Sequence, residues 1–118
     1  MEKKMEEKNG KKLLEIKGKF EDFSVEIIKA SSKIKQADDN VLSEKVRESL
    51  ENSLKLLTRS TYEELDEKET QNILESLDKE LAVLGAFLDV ATGSEYITKE
   101  DYENCSKFIK EFEKIIQE

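Results

Sequence analysis

The side chains best suited to do chemistry in this chain are basic, and they come in helical pairs. Lys29 and Lys33 stand four apart on a first helical segment, as do Lys55 and Arg59 on a second, and Lys45 and Arg47 flank the start of that second segment. Residues four apart share one face of a helix. If the two segments lie side by side, these six cations form one ridge, with the lysine-rich N-terminus at its end. Such a ridge can track a phosphate backbone without reading bases. No aromatic platform accompanies it, so base-specific reading of single strands is not indicated. Glu26, Glu44, Glu48 and Glu51 are close enough in sequence to pair with several of these charges.

Other chemistries lack the residue types they need. The chain has no histidine, which removes Ser-His and Cys-His pairs and every His-containing zinc or di-iron site. Asp38, Asp39 and the Glu63–Glu69 cluster lack the glycine and spacing of a calcium loop, and helix caps or surface charges account for them. No glycine-rich phosphate loop occurs. Cys105, the only cysteine, falls on an apolar seam, where a buried inert thiol is expected rather than a nucleophile. The expectation is a protein with no catalytic activity, no cofactor, no metal and no small-molecule substrate.

Charge is unevenly spread along the 118 residues. Residues 1–18 carry +2, residues 19–60 carry 0 and residues 61–118 carry −10, for a net −8. Repulsion of nucleic acid is thus concentrated in the C-terminal half. A single cysteine forms no internal disulfide and suits a reducing cytoplasm. No apolar run approaches the roughly 20 residues of a membrane span, and the N-terminus lacks the apolar core of a secretory signal. A cytoplasmic location is expected.

Four amphipathic segments must position these groups. Leu13, Ile16, Phe20, Phe23, Ile27, Ala30 and Ile34 step by three and four, which predicts a helix over 11–36. Gly18 lies within its first turns, and residues 1–10 read as a flexible charged tail. Asp38, Asp39 and Asn40 form a turn-and-cap cluster. The second helix buries Leu42, Val46, Leu50, Leu54 and Leu57 and ends within 60–66, where Thr61 and Glu64 suggest a capping box. The third follows Leu77, Leu81, Leu84, Leu88 and Ala91 to Thr92, with Gly93 as a left-handed C-cap. Thr98 and Asp101 then cap a fourth helix carrying Tyr102, Cys105, Ile109, Phe112 and Ile116. The fold class is all-α: an antiparallel up-down-up-down four-helix bundle over 11–118, one domain.

A second apolar stripe lies beside these seams, formed by Ile73, Val83, Phe87 and Val90 on the third helix and by Val25, Ile28 and Phe108 elsewhere. It is either a wider core-facing stripe or a self-association surface. Gly85 belongs to the second alternative. A mid-helix glycine costs about 0.5–1 kcal/mol relative to alanine, which close approach of another helix offsets. Val83, Gly85, Phe87 and Val90 are therefore the candidate oligomer interface.

The stretch Leu77-Asp78-Lys79-Glu80-Leu81, continuing through Leu84, Leu88 and Ala91 to Tyr96-Ile97-Thr98 and Asp101-Tyr102, resembles a known family. So does Leu56-Leu57 followed by Tyr62. The family is the bacterial four-helix-bundle group of ribosomal-RNA intervening-sequence proteins and the accessory variability determinant of diversity-generating retroelements. The resemblance covers roughly residues 20–116. Gly85 and Asp89 depart from it, standing where retroelement members usually carry arginine. It implies a left-handed antiparallel bundle that forms a ring, typically a pentamer. It also implies an accessory role in contact with RNA or DNA and, in the retroelement branch, with a reverse transcriptase. The rival expectation is an acidic protein–protein interaction module, of adaptor or immunity type, that does not bind nucleic acid.

Overall fold

The computed structural model describes the backbone of residues 2–62 and 65–118 and the side chains of residues 8–61 and 65–118. Glu, Lys and Leu dominate a chain without proline, a composition that favours long helices. Four form: α1 (Glu2–Gln36), α2 (Asn40–Tyr62), α3 (Glu67–Gly93) and α4 (Lys99–Gln117). No strand occurs among the described residues. None of these helices is long and apolar enough to cross a membrane. At about 1.5 Å per residue, the 35 residues of α1 span the full 51 Å length of the molecule.

Helix α1 thus takes in residues that sequence assigns to a charged tail. Residues 2–10 continue the same helix, and Asn9 is buried, donating to Gln71 Oε1 of α3 at 3.4 Å. Their Glu, Lys and Met are good helix formers, a preference that a reading based on apolar spacing overlooks.

The core is a continuous column. Phe20, Phe23, Ile27 and Ile34 of α1 and Leu77, Leu81, Leu84 and Leu88 of α3 belong to one core cluster, all nearly or fully buried, and the two helices are in contact. Helix α1 touches all three others, whereas α2 and α4 do not meet among the described residues. Along α1 and α4 the cross-links run in opposite order: Lys12 Nζ donates to Ile116 O at 3.0 Å, Lys19 pairs with Glu111, and Lys33 pairs with Asp101 at 2.7 Å. Four phenylalanines weld this pair. Phe23 meets Phe20 at 5.2 Å, Phe112 at 5.3 Å and Phe108 at 5.9 Å between ring centroids, within the range where edge-to-face geometry is favourable.

Helix α2 corrects the sequence expectation. Leu54 is 42% exposed, while Ser53 is fully buried and Ser43 and Ser49 nearly so. The buried row is therefore Ser43, Val46, Leu50, Ser53 and Leu57, with small hydroxyl residues where larger side chains would hold α2 away from its neighbours. Their hydroxyls are satisfied: Ser43 Oγ donates to Ser31 O at 3.0 Å and Ser53 Oγ to Ser49 O at 2.9 Å. On α4, Ile115 is the buried residue and Ile116 packs at the margin.

Two helix ends also differ. Asp66, not Thr61, caps α3, accepting from Glu69 N at 2.8 Å, while Thr61 lies inside α2 and donates to Leu57 O. Glu63 and Glu64 lie outside the described residues. At the end of α3, Gly93 is an ordinary helical residue. The left-handed position is Glu95, with φ 62°. Tyr96 N donates to Ala91 O and Glu95 N to Thr92 O, the paired bonds of a Schellman turn. Asp38, with φ 65°, plays the same part after α1. Glu95→Gly is therefore expected to stabilise the fold by about 1 kcal/mol by removing left-handed strain. Gly93→Ala, whose new Cβ meets nothing within 4 Å, should add about 0.5–1 kcal/mol. Urea unfolding checks both; a destabilising Gly93→Ala would return the left-handed role to Gly93.

Candidate interaction surfaces

Helices α1 and α2 carry the six basic candidates but aim them in different directions. Lys33 reaches α4, where its ammonium contacts both Asp101 oxygens at 2.7 Å. Arg47 turns to α1, its Nε donating to the buried Ser31 Oγ at 2.9 Å. Arg59 turns to α3 and pairs with Glu69 at 3.7 Å. Lys29 pairs with Glu26 on its own helix at 3.7 Å. Lys45 and Lys55 are exposed and make no ion pair among the described residues. One continuous ridge is therefore not assembled. Spacing within a helix fixes which side chains are neighbours there, but not which adjacent helix draws each one away.

The acidic partner of Lys33 is a junction rather than a surface charge. Burial alone would raise the Asp101 carboxyl. Hydrogen bonds from Lys33 and from Thr98 outweigh that and hold it below its ordinary value. Thr98 N donates to Asp101 Oδ2 and Asp101 N donates to Thr98 Oγ1, both at 3.0 Å, so the expected capping box is formed.

Val83, Phe87 and Val90 do share a face of α3, at steps of four and three. Val83 is 45% and Val90 55% exposed, and Phe87 packs at the edge of the core. Gly85 does not belong with them. About 100° of rotation per residue puts it on the side toward α4, where a Cβ would sit 4.0 Å from Ile109 Cδ1. That is ordinary contact, so packing within the chain does not require glycine there. With Ala86, Tyr102, Ser106 and Ile109 it lines a groove of about 310 Å³ between α3 and α4. The Tyr102 hydroxyl is held there by a hydrogen bond with the Asp89 carboxylate, which raises its pKa.

A larger groove, of about 410 Å³, runs between α1 and α2. Phe20, Leu54 and Leu57 form its apolar part, with Lys17, Ser24 and Thr61 among its walls. Of this side the sequence reading names only Val25 and Ile28, which belong to a longer stripe on α1, Leu14, Gly18, Glu21, Val25 and Ile28, at steps of four, three, four and three. Leu14 is 67% exposed, and Val25 and Ile28 are about half exposed.

Reactive chemistry is sparse. Burial pushes the Cys105 thiol up to about 12, so at neutral pH it is a protonated, inaccessible group. Among the described residues, no three Cys, Asp or Glu side chains converge to hold a metal ion. Ser31, Ser43 and Arg47 form a hydrogen-bonded cluster, but its hydroxyls serve the α1–α2 joint.

Fold and surface together define an all-helical, four-helix protein that presents exposed apolar faces and scattered cations. No protein-family model, curated protein or solved structure matches the chain.

Proposed function

We propose that this chain is a non-enzymatic, self-associating accessory protein of the kind its sequence resembles, the intervening-sequence and accessory-determinant family. Its helices run up, down, up and down, a topology supported by the reversed order of the α1–α4 cross-links. It works in the cytoplasm without a cofactor, by contacting nucleic acid, a reverse transcriptase or both. The observation that carries this reading is the apolar face of exposed Val83 and Val90 with half-buried Phe87 between them, on a helix whose opposite side is fully used in the core. By resemblance the assembly is a ring of five.

Lys45, Arg47 and Lys55 are the candidate cations without an ion pair among the described residues and so left to meet phosphate, Arg47 through the guanidinium N–H groups that Ser31 does not engage, since Lys29, Lys33 and Arg59 are ion-paired. Two measurements test the proposal. Light scattering is expected to give several times the 13.6 kDa chain mass, reduced by the pair Val83→Glu and Val90→Glu. A monomeric wild type, or a mass untouched by those changes, overturns self-association through α3. RNA and DNA binding should weaken with salt at a slope of about −2 to −3, as expected for two or three neutralised phosphates. No binding at low salt, or binding indifferent to salt, overturns the nucleic-acid role.

A second reading, an acidic module for a basic protein partner, draws on the engagement of three of the six cations and the −10 charge of residues 61–118. Partner capture lost on Glu67→Lys and Glu69→Lys, without nucleic-acid binding, would favour it.

A further inference from the structure

The groove between α3 and α4 is lined by small side chains and has a carboxylate toward each end. Gly85 and Ala86 line it from α3, and Ile109 lines it from α4. A Cβ at position 85 would meet only Ile109 Cδ1, at 4.0 Å, so packing within the chain does not ask for glycine. What glycine does there, against its cost in a helix, is leave the groove open. Along α4 the wall runs from Tyr102 through Ser106 and Lys110 to Glu113, a rise of about 16 Å. Asp89 stands at the Tyr102 end, bonded to its hydroxyl, and Glu113 stands at the other. Neither carboxylate makes an ion pair among the described residues. Ser106 is an independent sign of a ligand. It is only 9% exposed and lines the groove between the two carboxylates. Its hydroxyl makes no hydrogen bond among the described residues, yet its oxygen is not sealed away from the outside. The hydroxyl therefore opens onto the groove, where a donor from outside the chain can satisfy it.

We propose that this groove binds an aliphatic polyamine. One terminal ammonium meets Asp89, the methylene chain crosses Gly85, Ala86 and Ile109, and a further ammonium reaches Glu113. Ser106 Oγ accepts from an N–H of the chain between them. Two carboxylates against the single Lys110 make this a site for cations rather than anions. The −10 charge of residues 61–118 draws a polycation toward this half of the molecule. A volume of about 310 Å³ lies at the small end of ligand pockets, which suits a thin flexible chain. Lys110, three residues before Glu113, competes for that carboxylate, so the Asp89 end carries more of the affinity. The site uses none of Val83, Phe87 and Val90, and it requires neither self-association nor nucleic acid.

Titration calorimetry with spermidine tests this, in about 0.1 M salt, where a Debye length of about 10 Å screens diffuse attraction. One saturable site per chain is expected. Asp89→Asn should weaken binding about tenfold or more, and Ser106→Ala about threefold. Lys110→Gln should tighten it by freeing Glu113. Gly85→Leu keeps every charge but fills the groove, so it should abolish binding while the helical circular dichroism stays as in wild type. Glu51→Gln removes one exposed charge from α2, away from the groove, and should change nothing. Equal losses for Asp89→Asn and Glu51→Gln would mean that spermidine merely follows net charge, and would overturn the inference. Absence of binding, or binding that survives Gly85→Leu, overturns it as well. So does a groove that takes glutarate in place of spermidine and loses it on Lys110→Gln. If Gly85→Leu disturbs the helices, the comparison of Asp89→Asn and Ser106→Ala with Glu51→Gln still decides the matter.

Discussion

Phe23→Ala is expected to destabilise the protein by about 3–5 kcal/mol, the range for emptying a buried aromatic site. Phe23 is fully buried, and its ring is the hub of the aromatic cluster, with Phe20, Phe108 and Phe112 all within 5.9 Å between centroids. Alanine removes the ring and leaves a cavity at the α1–α4 seam. The lining cannot easily close it, because Phe112 and Ile27 are themselves fully buried and already packed. A domain of this size has on the order of 5–15 kcal/mol in total, so one substitution takes a large fraction of it. Phe108 is only partly buried at the rim of the same cluster, and its replacement by alanine should cost clearly less. Urea unfolding gives the comparison: the Phe23→Ala midpoint should fall well below wild type and below Phe108→Ala, with an unchanged denaturant slope. A loss under about 1 kcal/mol for Phe23→Ala, against the usual cost of such cavities, would mean the ring is not the hub.

Much of this packing is legible in the spacing of apolar residues. Leu77, Leu81, Leu84, Leu88 and Ala91 are all buried, as are the seven residues of the α1 seam. Helix α2 shows where such reading fails. Leu42, Val46, Leu50 and Leu54 step by four three times, and each such step turns about 40° beyond a full circle. By Leu54 the row has rotated off the core. Ser43, Val46, Leu50, Ser53 and Leu57 alternate three and four and stay on it, but counting only large apolar residues discards both serines. A similar blind spot hid Glu95. Glycine preference points to Gly93, whereas the carbonyls of Ala91 and Thr92 decide which residue must be left-handed.

The candidate surfaces were less legible than the core, because each depends on a neighbour distant in sequence. Nothing near Lys33 announces that Asp101, 68 positions away, will hold it, nor that Arg47 will be turned toward Ser31. Helical spacing did place Val83, Phe87 and Val90 together correctly. Gly85 does not follow that spacing: it stands two positions from both Val83 and Phe87, about 200° around the helix, on the side that faces Ile109 of α4.

Asp101→Ala is expected to cost about 1–2 kcal/mol, combining the lost bond from Thr98 N, about 0.5–1.5 kcal/mol, with a partly exposed ion pair of about 0.2–1 kcal/mol, while the bond from the backbone N of residue 101 to Thr98 Oγ1 survives. The residue joins two elements at once. Its side chain closes the first turn of α4 on Thr98 N and grips Lys33 of α1 through both oxygens. Asp101→Asn separates these roles, since an amide oxygen can still accept from Thr98 N but carries no charge for Lys33. It should therefore cost less than alanine. Acid supplies an independent check. The Asp101 pKa is lowered in the folded protein, so the unfolded state binds the proton more readily. Its stabilising contribution is full above the unfolded carboxylate value of about 3.9 and is lost as pH falls through the lower folded value. Stability measured from about pH 6 down to 2 should thus decline less steeply in Asp101→Asn than in wild type. The decline attributable to Asp101 should also shrink in Lys33→Ala, because the ammonium is one of the groups holding the carboxyl down. Identical acid profiles for wild type and Asp101→Asn would remove Asp101 from the junction between α1 and α4.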